Sequence, residues 1–165
     1  MSWLDKYLIL KKSNLPDAGK GLFTKTDIKK GTRITEYKGR LQAWKDVKDE
    51  DGHNSYIFKL NSRLAINAEK YLKTFGRYAN DARGAGKVKG LRNNADYIVE
   101  GKKCYLDAIR NIKKGEEIFV EYGGNFWKLA KKLERDKLKE ANKNKSAITF
   151  SPDFTRKKPK QKTAR

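Results

Sequence analysis

The 165-residue sequence holds one cysteine, one histidine and three prolines. The lone Cys104 excludes an internal disulfide framework and any zinc site built from several cysteines, so a reducing, intracellular setting is the default and no metal site is expected. Cys104 itself reads as a small buried strand residue, and the single histidine, His53, as an exposed member of an acidic loop. Long apolar runs are also missing. The opening MSWLDKYLILKK has only short apolar stretches between charges, too short for a signal-peptide core or a membrane span. A soluble chain with no membrane partner is therefore expected.

Acidic residues are outnumbered two to one, 20 Asp and Glu against 40 Lys and Arg, giving a formal charge of +20. Residues 128–165 contain 14 basic and 4 acidic side chains, a net +10, which leaves +10 for residues 1–127. Lysines that neutralise phosphates release counterions, so nucleic acid is one partner class that the charge admits; a solvated basic surface is the other reading. The content of 37% hydrophobic and 11% aromatic residues suffices for one self-sufficient core.

Along the chain, short β-rich segments alternate with turn formers. KYLILKK (6–12) reads as a strand and NLPDAGKG as a loop. GLFTKTDIKKGTRITEYKG and YLDAIRNIKKGEEIFVEYG share an I-K-K-G turn flanked by Ile28 and Ile34, and by Ile112 and Ile118. Each is expected to form a hairpin. SYIFKLNSRLAINA reads as two strands around Asn61-Ser62, and DYIVEGKKCYLDAI as two more around Glu100-Gly101. AWKDVKDEDG is an acidic loop or helical turn. KYLKTFGRYANDARGAGKVKGLRNN has no period, and so long an irregular stretch in a compact domain is expected to serve a ligand site. From Trp127 the residues Leu129, Ala130, Leu133, Leu138 and Ala141 form an imperfect helical stripe, predicting a helix over 128–142. Residues 143–165 are polar and basic and read as a largely disordered tail, with Phe150 and Phe154 free to dock on the core or a partner.

Three tracts then stand out in order: AGKGLF (18–23), GRYANDAR (76–83) and EEIFVEYGG (116–124). Together they resemble the SET domain, and YGGNFW resembles the ending of small stand-alone SET proteins, viral ones included. The resemblance covers about residues 6–127 and implies a mainly β fold of several small sheets with short helices, the SET domain occupying 1–127. It also implies S-adenosylmethionine as cofactor and protein-lysine methylation as activity. By this likeness Gly19, Lys20, Gly21, Arg77, Asn80, Asp81 and Trp127 would hold the cofactor. Asp81 stands where the family usually carries His. Tyr122 would be the catalytic tyrosine and Tyr56 a second aromatic of the lysine channel, which Val120 and Phe126 would line.

Plain structural readings remain beside these: an Asx-type bond for Asn80, a core cap for Trp127, and strand-core positions for Tyr56 and Val120. If Val120 does line the channel, its small side chain leaves room for di- and trimethylation. The substrate expected is lysine in a basic, histone-like or nucleic-acid-associated protein segment. The tail ending KPKQKTAR superficially resembles the basic start of a histone tail, which makes self-methylation conceivable. The alternative function is a non-catalytic nucleic-acid- or chromatin-binding module on the same fold, with Asp81 marking a decayed cofactor site. A homodimer is left open, as is location in the cytoplasm, the nucleoid, or a host nucleus for a delivered effector.

Overall fold

The computed structural model describes residues 4–84 and 86–149. Nine short strands form three antiparallel sheets of three: β1 (Leu8–Lys12), β2 (Lys20–Thr24) and β9 (Glu117–Ile118); β3 (Arg33–Glu36), β8 (Lys103–Ala108) and β7 (Ala95–Glu100); β4 (Arg40–Ala43), β6 (Leu64–Asn67) and β5 (Ile57–Lys59). The mainly β class with short helices is the one expected from sequence. Two local turns form as their residues dictate. Gly101 takes a φ of +61° between the paired ends Glu100 and Lys103 of β7 and β8. Asn61 Oδ1 accepts from the backbone N–H of Arg63 and of Leu64 (2.8 and 3.0 Å), turning β5 into β6.

The two I-K-K-G segments do not make hairpins. β2 pairs with β1 and β9, and β3 pairs with β8, so neither pair of flanking arms meets. The turns pair with each other instead. Ile28 and Ile112 exchange two backbone hydrogen bonds of 2.8 Å. The N–H of Gly31 donates to Ala108 O and that of Gly115 to Thr24 O, at 2.7 and 2.8 Å. The side chains follow the same rule: Asn111 Oδ1 accepts from Lys30 N–H and Asp27 Oδ1 from Lys114 N–H. Adding 84 to the numbers of either half gives the other. Gly31 and Gly115 sit at φ +85° and +87°, conformations that L side chains avoid.

This exchange builds the core. Leu22, Ile34, Leu106, Ile112, Ile118 and Val120 are fully buried in one apolar cluster, against which Tyr56, Phe58, Tyr97 and Tyr122 pack. A long helix follows, with α1 (Trp44–Val47) far shorter upstream. α2 spans Gly124–Thr149, starting before Trp127 and running past residue 142, so residues 143–149 of the expected tail are helical. Only its first turns are anchored: Leu129 and Ala130 lie on the backbone of Gly52, where a Cβ would approach Leu129 Cγ to 2.7 Å. From Glu134 to Lys145 every residue is exposed, Leu138 at 59%. Phe150, Phe154 and the KPKQKTAR end lie outside the described residues. Among the described residues no helix is long and apolar enough to cross a membrane.

Candidate active site

The residues Glu117 to Val120 are buried without a break, so this segment is enclosed on both faces. Asn80 forms a parallel bridge with Phe119 on one side, and its carbonyl accepts from Val120 N–H at 2.9 Å. Asn94 serves the other side. Its Oδ1 accepts from Phe119 N–H (2.9 Å), its Nδ2 donates to Glu117 O (2.7 Å), and its backbone N–H donates to Phe119 O (3.0 Å). At 1% exposure, the Asn94 amide does the work of a missing strand neighbour.

Glu117 joins the tracts that the sequence separates. Its carboxylate, 3% exposed, accepts from Ser13 Oγ (2.6 Å), Asn14 N–H (2.7 Å) and Asn80 Nδ2 (3.4 Å). Asn80 Nδ2 also donates to Lys20 O at 3.1 Å. A Cβ on Gly21 would collide with the Glu117 carboxylate, so the glycine is required by this brace. Gly21 therefore faces the brace and not the cavity.

Asp81 is the second hub. It is 3% exposed and accepts four hydrogen bonds. Oδ1 takes Arg83 N–H (2.8 Å) and Asn93 Nδ2 (3.0 Å); Oδ2 takes Tyr122 N–H (2.9 Å) and the Trp127 indole N–H (2.7 Å). The substitution of Asp for the family's usual His thus occurs at a fully engaged position, with no sign of decay. Trp127 stacks on the Tyr122 ring at 5.7 Å and 6°, and Phe126 meets both rings edge-on. The Tyr122 hydroxyl donates to Ala79 O at 2.9 Å. Burial, with the Asp81 carboxylate and Tyr56 adding to it, pushes this phenol well above the usual tyrosine range.

These groups surround an open cavity of about 940 Å³. Of the residues singled out from sequence, Gly19, Lys20, Tyr56, Arg77, Asn80, Asp81, Tyr122 and Trp127 lie on its wall. Gly21, Phe126 and Val120 do not. Val120 has no exposed surface and belongs to the main core cluster, so a channel-facing position is not what the fold gives it. Strand alternation fails as a guide because both faces of this segment are covered. Sequence reasoning missed the wall formed by Leu15–Ala18 and by Gly84, where a Cβ would meet the Trp127 ring at 2.5 Å. It also gave no part to Glu117 or Asn94, for which the Asn93-Asn94 dipeptide was the available signal.

The family model described as the SET domain matches residues 19–123, from the cavity glycine Gly19 to the residue after Tyr122. This chain belongs to the SET-domain family. It is 33% identical over 139 residues to histone-lysine N-methyltransferase EZH2 of Chaetomium thermophilum, an alignment covering 78% of this chain and 9% of that protein. To the variant-silencing SET domain-containing protein of Plasmodium falciparum it is 32% identical over 120 residues, covering 66% and 4%. The SET chain thus spans less than a tenth of either relative. Among solved structures it superposes on an active polycomb repressive complex 2 in the basal state (TM-score 0.57, 30% identity, 72% of this chain and 15% of that one). A second match is ctPRC2 in an autoinhibited conformation bound to S-adenosylmethionine (TM-score 0.56, 30% identity, 79% and 17%). S-adenosylmethionine is the cofactor of the family.

Proposed function

We propose that this SET chain is an S-adenosylmethionine-dependent protein-lysine N-methyltransferase acting on lysines in basic protein segments. One observation carries the reading: Gly19, Lys20 and Asn80 share a single cavity with Tyr56 and Tyr122, so a donor site and an acceptor site are continuous. The cavity's size lies within the range of small-molecule sites, about 300–1,000 Å³. Its wall also asks for an acceptor-rich ligand. Arg77 is 7% exposed and stacks 4.0 Å over the Tyr56 ring, yet its Nε and Nη1 have no hydrogen-bond partner. Buried donors of this kind are costly unless something meets them. A ligand with a carboxylate and ribose hydroxyls fits that donor set.

Gly19, Lys20, Arg77 and Asn80 would hold the amino-acid and ribose part of the cofactor, and Asp81 and Trp127 would frame its adenine end. When bound, S-adenosylmethionine supplies a methyl group activated by its attachment to a sulfonium. Tyr122 orients the acceptor. Its proton is committed to Ala79 O, so its lone pairs remain to accept from the incoming nitrogen or from polarised C–H groups. A phenol held this firmly protonated cannot deprotonate the lysine near neutral pH. The ammonium therefore gives its proton to water before the amine is enclosed, and positioning supplies much of the rate. The rings of Tyr56, Tyr122 and Trp127 give the acceptor an aromatic passage.

Transfer of tritium from labelled cofactor to a lysine-rich peptide tests the proposal. Incorporation that disappears in Tyr122→Phe is expected; cofactor binding with no transfer to any lysine substrate would overturn it.

A further inference from the structure

We infer that the cavity accepts lysines from this chain's own C-terminal segment, so that the protein methylates itself intramolecularly at Lys160 and Lys162. The inference rests on the methyltransferase reading above and adds the identity of one substrate. Three observations support it.

The first is charge around the acceptor end. In a chain of net +20, residues 46–51 carry four acids, Asp46, Asp49, Glu50 and Asp51, against the single base Lys48. Asn54 Nδ2 gathers Glu50 and Glu69, donating to their carboxylates at 3.0 and 3.3 Å, while Asn54 Oδ1 accepts from Tyr56 N–H at 3.0 Å. Acidic side chains are thus tied to the backbone of a tyrosine on the cavity wall. Residues 150–165 hold six Lys and Arg against one Asp, the complementary charge.

The second is reach. α2 starts beside the cavity at Trp127 and stands clear of the body from Glu134 on. From Trp127 to Thr149 it extends about 33 Å at 1.5 Å per residue. The chain beyond Thr149 must cover that distance to return to the cavity. A fully extended chain spans about 3.4 Å per residue. Lys157 and Lys158, eight and nine residues on, reach about 27 and 31 Å and fall short. Lys160 and Lys162, eleven and thirteen residues on, reach about 37 and 44 Å and span the gap.

The third is the effective concentration of a tethered lysine. A segment on a short connection is presented to its own site at about millimolar concentration, provided that the connection can span the distance. The chemistry is that of any acceptor: the neutral ε-amine provides the electron pair for a new N–CH₃ bond while the S–CH₃ bond breaks with its pair left on sulfur. Protons released from the nitrogen go to water.

The test incubates the full-length protein with S-adenosylmethionine at a series of protein concentrations, with a separate basic lysine peptide as second acceptor, and maps methyl groups by mass spectrometry. Methyl groups on Lys160 and Lys162 in excess of Lys157 and Lys158, formed at a rate per molecule independent of concentration, are expected. The double change Lys160→Arg and Lys162→Arg should abolish this signal and leave peptide methylation unchanged. Methylation of the peptide with an unmodified tail overturns the inference alone, as does a rate proportional to protein concentration. No transfer to any lysine overturns the methyltransferase reading with it. A readout without turnover uses a nitroxide on Gln161→Cys, the other cysteine being fully buried. It should broaden the amide signals of Ser55 and Tyr56 in the apo protein at low salt, and neutralising Asp49, Glu50 and Asp51 to their amides should weaken that effect several-fold. Sharp Ser55 and Tyr56 signals in the wild type would rule out occupancy of the cavity by the tail.

Discussion

Changing Asp81 to Asn keeps size and shape but removes half of the acceptor capacity at a buried hub. The carboxylate satisfies four donors at 2.7 to 3.0 Å. An amide has one acceptor oxygen and two donor hydrogens, so it can serve one pair of donors while turning its NH₂ toward the other. Retaining Arg83 N–H and Asn93 leaves Tyr122 N–H and the Trp127 indole facing a donor in a site that is 3% exposed. Hydrogen bonds to a charged acceptor contribute about 1.5–3 kcal/mol each, so two lost bonds amount to about 3–6 kcal/mol. That is a large share of a total stability of about 5–15 kcal/mol. Even the lower figure corresponds to a fall in Tm of about 6–12 °C for a chain of this size. Trp127→Phe removes a single donor and preserves a stacked ring, and should cost roughly half as much. Urea unfolding followed by far-UV circular dichroism measures both. An Asp81→Asn protein within about 1 kcal/mol of wild type, at unchanged m-value, would show that the four bonds do not hold the site together.

Tyr122→Phe removes only the hydroxyl donating to Ala79 O, so stability should fall by about 1 kcal/mol while kcat drops far more than cofactor affinity, as single-turnover kinetics and calorimetry would register. Asn80→Ala breaks the link from Lys20 O to Glu117 and should weaken S-adenosylmethionine binding at least tenfold by calorimetry; unchanged binding would remove Asn80 from the cofactor site. Alkaline pH should destabilise the fold in a defined window. Burial pushes the Cys104 thiol from 9.0 up to about 12 and raises the Tyr37, Tyr97 and Tyr122 phenols above 10.0. The unfolded chain loses these protons first, so stability is full below pH 9 and falls as pH rises, by up to about 1.36 kcal/mol per unit for each titrating group. Equal stability at pH 8 and pH 11 would contradict this.

Local features were legible because neighbours in sequence determine them. Gly101 and Asn61 mark turns that close within a few residues, and the tracts at 18–23, 76–83 and 116–124 supplied most of the cavity wall. Pairing was not legible. The I-K-K-G segments have the composition of hairpins, but their partners lie 84 residues away, and nothing in either segment specifies that. The same limit hid Asp81, whose donors Tyr122 and Trp127 are 41 and 46 residues distant. Val120 was misplaced because alternation assumes one covered face, whereas Asn80 and Asn94 flank this segment on two sides.

The reciprocal pairing of residues 24–34 with 108–118 also bears on how the protein is made. A ribosome adds about 5–20 residues per second. After Ile28 emerges, Ile112 follows only after about 4–17 s, and until then β2 has β1 but lacks β9, and β3 lacks β8. The nascent chain therefore carries two incomplete sheet edges for seconds, and the Gly19–Lys20 part of the cavity cannot be braced before Glu117 arrives. Assembly should be late and abrupt, close to the release of the chain, as expected when loop closure precedes the contacts that reward it. Stalled chains ending before Glu117 should be protease-sensitive throughout, and chains extended past Trp127 and clear of the exit tunnel should become resistant in a single step.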